Sequence, residues 1–206
     1  EETGEGQTEK LFKYDIYRKM LADYFEQKWL EKHEAGKVVR TDLAEKQIPH
    51  LHNNTIEGFY TPTEYWSPAL SEATAVSDEL VQQLKEADEL LISSPLYNYN
   101  VPSNLKAYFD QVVRIGHTFG INDDGYYGLL EDKIAFIVTV KGGVYKGIDM
   151  ERYDFQEPYL EAVLGHMGIK VQQFFSLEGT ADKDTLDKNK QKVHRAIDEF
   201  FKKRIG

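Results

Sequence analysis

Hydrophobic residues along this 206-residue chain follow two periods, one typical of buried strands and one typical of amphipathic helices. Short continuous apolar runs predict strands, and apolar residues at every third or fourth position predict helices. The predicted strands are Val38–Leu43 at a sheet edge, Leu90–Ser93, Ile134–Val140 and Val171–Leu177. The predicted helices are Tyr14–Glu34, Pro68–Ala87, Val101–Arg114, Tyr153–Met167 and Asp184–Lys202. This alternation favours an α/β fold in which a parallel sheet carries helices on both faces.

The beginning of the chain breaks this pattern. Residues 1–10 are polar and acidic and include two glycines, so we expect a polar tail there and a single domain over residues 11–206. Residues 11–17 fit a helix start slightly better than a strand. Residues 44–66 and 120–128 are rich in residues that favour turns and predict loops. The first of these loops is also aromatic, which is typical of a pocket lining or a subunit contact.

Composition excludes several classes of partner and chemistry. The formal net charge of −10 argues against nucleic acid and against an anionic membrane surface as partners. No apolar run approaches the roughly 20 residues that a membrane span needs, and we expect no membrane association. The chain has no cysteine, which excludes thiolate catalysis and zinc–cysteine sites and is compatible with the cytoplasm. His50 and His52 are expected to be loop residues, so no metal site is predicted.

The turn after Leu90–Ser93 carries the most informative chemistry. Leu96–Asn100 holds two tyrosines and two asparagines between a predicted strand and a predicted helix. Such a turn lies at the carboxyl end of a sheet, where open α/β folds bind ligands. Tyrosine rings and amide groups suit a planar heterocycle with ring carbonyls and nitrogens. The alternative is a loop that only caps the following helix. A second candidate is Gly142-Gly143, where glycine lets the backbone approach a ligand edge, and its alternative is an ordinary turn.

Five segments, in order and with matching spacing, resemble a known family over roughly residues 20–200. They are Leu90–Asp110, Arg114–Phe119, Gly128–Leu130, Thr139–Tyr145 and Pro158–Ile169. Together they resemble the FMN-dependent NADH:azoreductases, relatives of the NAD(P)H:quinone reductases. The resemblance implies a flavodoxin-like three-layer sandwich. It also implies a homodimeric oxidoreductase that takes a hydride from NADH or NADPH onto FMN. A quinone or azo compound, a small aromatic substrate, then receives two electrons in a ping-pong scheme.

The resemblance also assigns candidate site residues, although none with a catalytic side-chain role. Those expected to contact the cofactor are Pro95, Leu96, Tyr97, Asn98, Tyr99, Thr139, Gly142, Gly143 and Tyr145. Arg18 or Lys19 is the expected substitute anchor for the phosphate if FMN is bound, since the family's serines are not found here. Those expected in the substrate pocket are Phe119, Tyr127 and His166. An interface or packing role is the alternative for His166, and a core role is the alternative for Phe119. In relatives, the position of His166 often holds an aromatic residue that reaches the second subunit's pocket. The dimer contact is therefore expected to use helices 101–114 and 153–167 and the loop 44–66.

The chain departs from the family at its beginning. The family opens with an apolar strand and a serine-rich loop that holds the FMN phosphate, and neither can be identified here. Two interpretations stay open: a processed or trimmed fragment, or a replaced segment with loss of flavin binding. In the second case the aromatic pocket binds another planar molecule, in a non-redox enzyme or a binding subunit. We expect a slot between the strands 38–43 and 89–93 that residues 11–17 or a partner chain's segment cover. An open slot would argue against the resemblance.

Overall fold

The computed structural model describes residues 5–203, with side chains from residue 16 onwards. Its helices are α1 (Glu5–Leu30), α2 (Asn53–Tyr60), α3 (Pro68–Glu86), α4 (Ser103–Val112), α5 (Gln156–His166) and α6 (Lys183–Lys203). Its strands are β1 (Glu89–Pro95), β2 (Phe119–Asn122), β3 (Gly125–Gly128), β4 (Ile134–Val140) and β5 (Lys170–Leu177). Short 3-10 turns cover Thr63–Tyr65 and Asp149–Tyr153. Within this part of the chain, no helix is both long and apolar enough to cross a membrane.

A parallel three-stranded sheet in the order β1-β4-β5 forms the centre of the molecule. Ile92 of β1 lies opposite Ile137 of β4, which in turn lies opposite Phe174 of β5. The central strand β4 is buried at every position after Ile134, as its continuous apolar run predicts. The three strands predicted between residues 90 and 177 are thus confirmed.

Helices cover both faces of this sheet and give a three-layer sandwich. On one face, Leu80, Leu105 and Leu160 from α3, α4 and α5 pack on Ala135 and Ile137. On the other face, α1 and α6 pack on the alternate residues of β4. An aromatic cluster fills this second face and consists of Phe25, Phe136, Phe175, Phe200 and Phe201. The sequence predicts this architecture correctly because side chains alternate between the two faces of each strand.

The predicted edge strand Val38–Leu43 is wrong, since this segment has no regular secondary structure. A strand needs a neighbour, and no described strand lies beside this segment. Side-chain contacts hold the segment instead. Arg40 pairs with Asp23 and Glu26 of α1, and the carbonyl of Leu43 accepts a hydrogen bond from Asn104.

Two predicted loops contain regular structure. Residues 120–128 fall in an antiparallel hairpin of β2 and β3, in which Gly120 lies opposite Tyr127. The absence of a side chain at Gly120 lets the Tyr127 ring lie across it, since a Cβ there would fall 2.6 Å from the Tyr127 hydroxyl oxygen. The loop 44–66 contains α2 and a 3-10 turn. Both segments were predicted as loops because their turn-forming residues suggested no regular structure. In the folded protein, packing against the rest of the molecule stabilises a short helix in one segment and a hairpin in the other.

The first helix is longer than the sequence predicts. It begins at Glu5, inside the segment expected to be a polar tail, and it runs through residues 11–17 as a helix. Residues 1–4 lie outside the described part of the chain. The slight preference for a helix over residues 11–17 is confirmed. This segment therefore supplies no strand to the sheet.

A groove runs along the edge of β1 that faces away from β4. It has a volume of about 530 Å³, and every residue of β1 lines it. Its other walls come from residues 39–44 and from α3 and α4, and Arg18 of α1 borders it. The expected slot is therefore present beside β1. We expected residues 11–17 or a partner chain to cover this slot. The side chains of residues 11–15 lie outside the described part of the structure, and the side chain of Ile16 is exposed.

Candidate active site

Two loops meet at the carboxyl edge of the sheet. Pro95 ends β1 and Val140 ends β4, and the two residues are register partners. The N–H of Leu96 then donates to the carbonyl of Val140 at 2.9 Å, which extends the pairing by one residue. The turn after β1 and the glycine loop after β4 therefore begin side by side. Their proximity follows from the parallel sheet, because neighbouring parallel strands end at the same edge.

The turn after β1 is held in a left-handed conformation. Tyr97 and Asn100 exchange two backbone hydrogen bonds of 2.9 and 3.0 Å, and the two residues between them have positive φ angles. These angles are 49° for Asn98 and 70° for Tyr99. A left-handed tyrosine costs on the order of 1 kcal/mol or more, and such strain concentrates at functional sites. The turn keeps the rings of Tyr97 and Tyr99 at the surface, with 41% and 47% of each residue exposed.

The loop after β4 turns at Gly142 and Gly143. Their carbonyls accept hydrogen bonds from Ala181 and Gly179, which fix the loop on the segment after β5. The space next to Gly143 is open, because a Cβ added there meets only the Tyr145 ring, at 3.5 Å. A ligand can thus approach the backbone closely at this corner.

A buried lysine lies directly beneath this loop. The Lys141 side chain is 1% exposed, and its ammonium contacts Asp154, Glu157 at 2.7 Å and Glu178 at 3.3 Å. Burial by itself lowers the pKa of Lys141, but the hydrogen bonds to Asp154 and Glu157 outweigh it and hold that pKa above its usual value. The lysine is therefore charged at neutral pH, and three carboxylates surround one cation.

The carboxylates of this cluster tie the loop to the rest of the sheet. Glu178 accepts the backbone N–H groups of Tyr145 at 3.0 Å and Lys146 at 3.2 Å. Glu157 accepts the hydroxyls of Thr139 and Ser176. Burial tends to raise the pKa of Glu157, but the hydrogen bond from Lys141 and the one from Ser176 lower it overall. The cluster thus fixes the position of the glycine loop from below.

The amino end of α5 braces the turn after β1. The N–H of Phe155 donates to the carbonyl of Tyr99 at 3.0 Å. The buried side-chain amide of Gln156 donates to the carbonyl of Pro95 at 2.7 Å and to the hydroxyl of Ser94 at 3.1 Å. Its carbonyl oxygen has no hydrogen-bond partner within the described residues. Both loops of the site are therefore held by contacts to α5 and to its preceding turn.

The candidate cofactor residues divide into two groups by exposure. Tyr97, Asn98, Tyr99 and Gly143 face the surface, whereas Pro95, Thr139 and Tyr145 are buried below them. Leu96 and Gly142 are half-buried between the two groups. The pKa of Tyr145 is raised, mainly by burial and to a smaller extent by the nearby Tyr99, so its hydroxyl stays protonated. Arg18 borders the groove beside β1, which Pro95 and Tyr97 also line, and its carbonyl accepts a hydrogen bond from Ser93. The pKa of Asp42 is lowered first by the hydrogen bond from Ala44 and also by the charge of Arg18.

The candidate pocket residues lie at the other end of α5. The rings of Phe119 and His166 pack with centroids 4.4 Å apart, and Tyr126 adds an edge contact to each. His166 is the last residue of α5 and Gln156 the first, so about 15 Å of helix separate His166 from the residue that braces the turn after β1. Tyr127 instead packs over Gly120. Within one chain the structure does not bring the pocket residues to the loops.

The charged cluster around Lys141 was not identified from the sequence. Its signal is a lysine that directly follows the buried strand β4, because a cation at that position is buried and needs carboxylate partners. The partners come from residues 154, 157 and 178, and no local spacing links them to residue 141. Gln156 was missed for the same reason.

Comparison with known proteins decides the family. Residues 15–201 match the family described as having a flavodoxin-like fold. An FMN-dependent NADH:quinone oxidoreductase of Hydrogenovibrio crunogenus is 38% identical over 182 residues, which are 88% of this chain and 90% of that protein. The chain belongs to the flavodoxin-like family of FMN-dependent NADH:quinone oxidoreductases. A second member, from Nostoc punctiforme, is 36% identical over 178 residues, which are 86% of this chain and 87% of the relative.

A solved structure shows the same fold. The crystal structure of an azoreductase from Bacillus anthracis superposes with a TM-score of 0.80 at 26% identity. The match covers 90% of this chain and 89% of the azoreductase. The resemblance stated from the sequence is thus confirmed. The groove beside β1 does not count against the family, contrary to our expectation, because the remaining architecture matches over most of its length.

The described residues fit the ring end of a flavin. The open corner at Gly143 and the exposed Tyr97–Tyr99 turn lie side by side, which suits one edge and one face of a flat heterocycle. Tyr97 and Tyr99 offer stacking surface, and the backbone at Gly142 and Gly143 offers close approach. The groups that would hold the phosphate are not evident at these two loops.

Proposed function

We propose that this protein is an FMN-dependent oxidoreductase that uses NADH to reduce quinones or azo compounds. The observation that carries the proposal is the pairing of the left-handed Tyr97–Asn100 turn with the glycine loop Lys141–Tyr145 at one sheet edge. The relatives named as FMN-dependent NADH:quinone oxidoreductases support it. The sequence leaves NADH and NADPH open as hydride donors, and the relatives, which are NADH:quinone oxidoreductases, favour NADH.

In this proposal the protein's own residues bind and orient rather than react. FMN, when bound, supplies the redox chemistry by accepting a hydride from NADH and passing two electrons to the acceptor. Tyr97 and Tyr99 form the side of the pocket, and backbone N–H groups at Gly142 and Gly143 lie where they can stabilise negative charge on the reduced ring. Lys141 and its carboxylates keep the glycine loop in place. The acceptor is a small aromatic molecule that needs an open, flat pocket.

The proposed active form is a homodimer. Phe119, Tyr126 and His166 form an aromatic cluster at one end of α5, about 15 Å along the helix from Gln156 at its other end. Tyr126 remains 68% exposed. A two-fold partner can bring this cluster over the other subunit's loops and complete the pocket, which a single chain leaves open. The cytoplasm, where NADH is available, is the proposed location.

The direct test is a flavin titration followed by a coupled assay. Purified protein is stripped of flavin, and FMN is added while its fluorescence and absorbance are recorded. NADH is then added without oxygen, followed by a soluble quinone or by an azo dye in a parallel sample. We expect saturable FMN binding, loss of flavin absorbance with NADH, and its return with the acceptor.

The flavin-free interpretation predicts a different outcome. In that case FMN fluorescence stays unchanged throughout the titration, and NADH oxidation does not depend on FMN. No observation in the structure or among the relatives favours this alternative. Loss of FMN binding with an unchanged fold, checked by circular dichroism, would nevertheless overturn the proposal.

A further inference from the structure

The segment that directly follows β5, residues 178–181, lies along the glycine loop and holds it by a regular set of hydrogen bonds. Three successive backbone N–H groups of this clamp segment donate to three successive carbonyls of the loop, at 2.9, 3.2 and 3.1 Å. The pairs are Gly179 with Gly143, Thr180 with Lys141, and Ala181 with Gly142. The hydroxyl of Thr180 also donates to the Lys141 carbonyl, at 3.2 Å. The loop is therefore held through three consecutive carbonyl groups.

These bonds fix the direction of the N–H groups on the other side of the loop. In a planar trans peptide the C=O and the N–H point in opposite directions. Because the carbonyls of residues 141–143 point toward the clamp segment, the N–H groups of Gly142, Gly143 and Val144 point away from it. Within the described residues none of these three N–H groups donates a hydrogen bond. Since Gly143 and Val144 are exposed, the loop presents a row of three free donors on its outer side.

The next two N–H groups of the chain turn back toward Glu178. One carboxylate oxygen of Glu178 accepts the N–H of Tyr145 at 3.0 Å and that of Lys146 at 3.2 Å. The other oxygen lies 3.3 Å from the ammonium of Lys141. Without this carboxylate, the N–H of Tyr145 would be a buried donor without its acceptor, which costs about 1–3 kcal/mol in the folded state. Glu178 therefore decides where the donors of the loop change from the outer side to the inner side.

A row of free N–H donors suits a ligand edge that carries carbonyl oxygens and ring nitrogens. Backbone N–H groups that point to one place also favour negative charge there. The ring of FMN has both kinds of acceptor and gains negative charge on reduction. The open space next to Gly143 leaves room for such an edge.

We propose that residues 178–181 are the positioning element of the FMN site and that Glu178 is its decisive residue. Glu178 acts from the side of the loop opposite to the ligand, so it is a positioning residue and not a catalytic one. It holds the N–H groups of residues 142–144 in the direction of the FMN ring. The inference rests on the proposed function, because FMN is taken as the ligand of these donors.

Glu157 provides a matched comparison within the same cluster. It pairs with Lys141 as Glu178 does, and its other hydrogen bonds come from the hydroxyls of Thr139 and Ser176. Among the described residues, no N–H group of the glycine loop donates to Glu157. Glu157→Ala and Glu178→Ala therefore each remove one carboxylate from Lys141, and Glu178→Ala alone removes the acceptor of the loop's N–H groups.

FMN titration of the folded variants separates the two roles. Fluorescence reports FMN binding, and circular dichroism checks the fold at the same temperature. We expect Glu178→Ala to weaken FMN binding at least about tenfold, and Glu157→Ala to weaken it less than about threefold. Glu178→Gln keeps a carbonyl oxygen that can accept the loop's N–H groups, so its FMN affinity should lie within about threefold of the wild type.

Amide hydrogen exchange tests the direction of the donors without FMN. In the flavin-free wild type we expect fast exchange at residues 142–144 and slow exchange at Tyr145 and Lys146. Glu178→Ala should make exchange at Tyr145 and Lys146 fast as well. Addition of FMN to the wild type should slow exchange at residues 142–144.

Three results would overturn this proposal. Slow exchange at residues 142–144 in the flavin-free wild type would show that these N–H groups are bonded within the protein. An equal loss of FMN affinity in Glu157→Ala and Glu178→Ala would assign the effect to the charge of the cluster. FMN binding by Glu178→Gln that is as weak as that of Glu178→Ala would show that the hydrogen bonds to the loop do not matter.

Failure of the proposed function gives a different result. In that case the wild type itself does not bind FMN, which overturns the proposed function and, with it, the assignment of these donors to FMN. The three results above instead concern a wild type that binds FMN, or a protein without flavin. The two failures are therefore distinguished by the wild-type titration.

Discussion

The buried ammonium of Lys141 and the partly buried carboxylate of Glu157 form an ion pair, with 2.7 Å between Nζ and Oε1. The pair joins the residue directly after β4 to the first turn of α5, and it lies below the glycine loop. Asp154 and Glu178 bind the same ammonium. A cation surrounded in this way is costly to remove, because its partners would remain buried with their negative charges.

Replacement of Lys141 should therefore reduce stability strongly. We expect Lys141→Met to lower the free energy of unfolding by about 3–5 kcal/mol, measured by urea denaturation. The control is Lys106→Met, which breaks the exposed pair with Asp110 and should cost less than about 1 kcal/mol. Similar losses for both variants would show that the buried cluster contributes no more than a surface ion pair.

The same cluster predicts how stability depends on pH. The pKa of Glu157 is lower in the folded protein than its unfolded value of about 4.3. The carboxylate therefore stabilises the fold fully above that value, and its contribution is lost as the pH falls through the folded pKa. The pKa of Lys141 is raised, so its contribution is present below about pH 10.4 and is lost as the pH rises through the higher folded pKa.

Thermal unfolding of the wild type and of Glu157→Gln between about pH 3 and pH 8 checks the acidic side of this prediction. The wild type should be the more stable protein at neutral pH, and the difference should shrink below about pH 4. A difference in melting temperature that stays constant over this range would contradict the role assigned to the Glu157 carboxylate.

A methyl group at Gly143 should weaken FMN binding and leave the stability of the fold unchanged. A Cβ at this position contacts only the Tyr145 ring, at 3.5 Å, so Gly143→Ala should change the free energy of unfolding by less than about 0.5 kcal/mol. FMN that approaches the backbone here meets the added methyl. We expect FMN binding at least about tenfold weaker by fluorescence titration.

The matched control for this variant is Gly165→Ala. Gly165 lies in α5, and a Cβ there meets no heavy atom within 4 Å. It should bind FMN like the wild type and should be slightly more stable, because alanine favours a helix by about 1 kcal/mol over glycine. Unchanged FMN affinity in Gly143→Ala would remove the glycine loop from the proposed site.

The proposed dimer depends on the aromatic cluster at the end of α5. Tyr126→Asp places a charge on an exposed ring of this cluster, and we expect a dimer at micromolar concentration to become a monomer by light scattering. Gln191→Asp adds the same charge to an exposed position of α6 and should leave the mass unchanged. A wild-type monomer at this concentration would contradict the shared pocket.

Local patterns predicted the parts of the fold that local physics controls. Ile134–Val140 was identified correctly as a strand because a run of seven residues that are all apolar except Thr139 requires burial on both faces. The helix at Pro68 was placed correctly, since Ser67 accepts the N–H of Leu70 and proline suits the first turn. The segment Val38–Leu43 has the composition of a strand and failed, because strand formation depends on a neighbour that lies far away in sequence.

The sequence by itself determined the three-layer arrangement, the family and the identity of the two loops at the carboxyl edge. Apolar periodicity and a local motif are sufficient for these features. Tertiary structure alone decided that Lys141 gathers three carboxylates and that Phe119 packs on His166 at the far end of α5 from Gln156. It also decided that, within residues 5–203, β1 has a strand neighbour on one side only. Each of these depends on contacts between residues that are distant in sequence, because pairing and burial are properties of the assembled sheet.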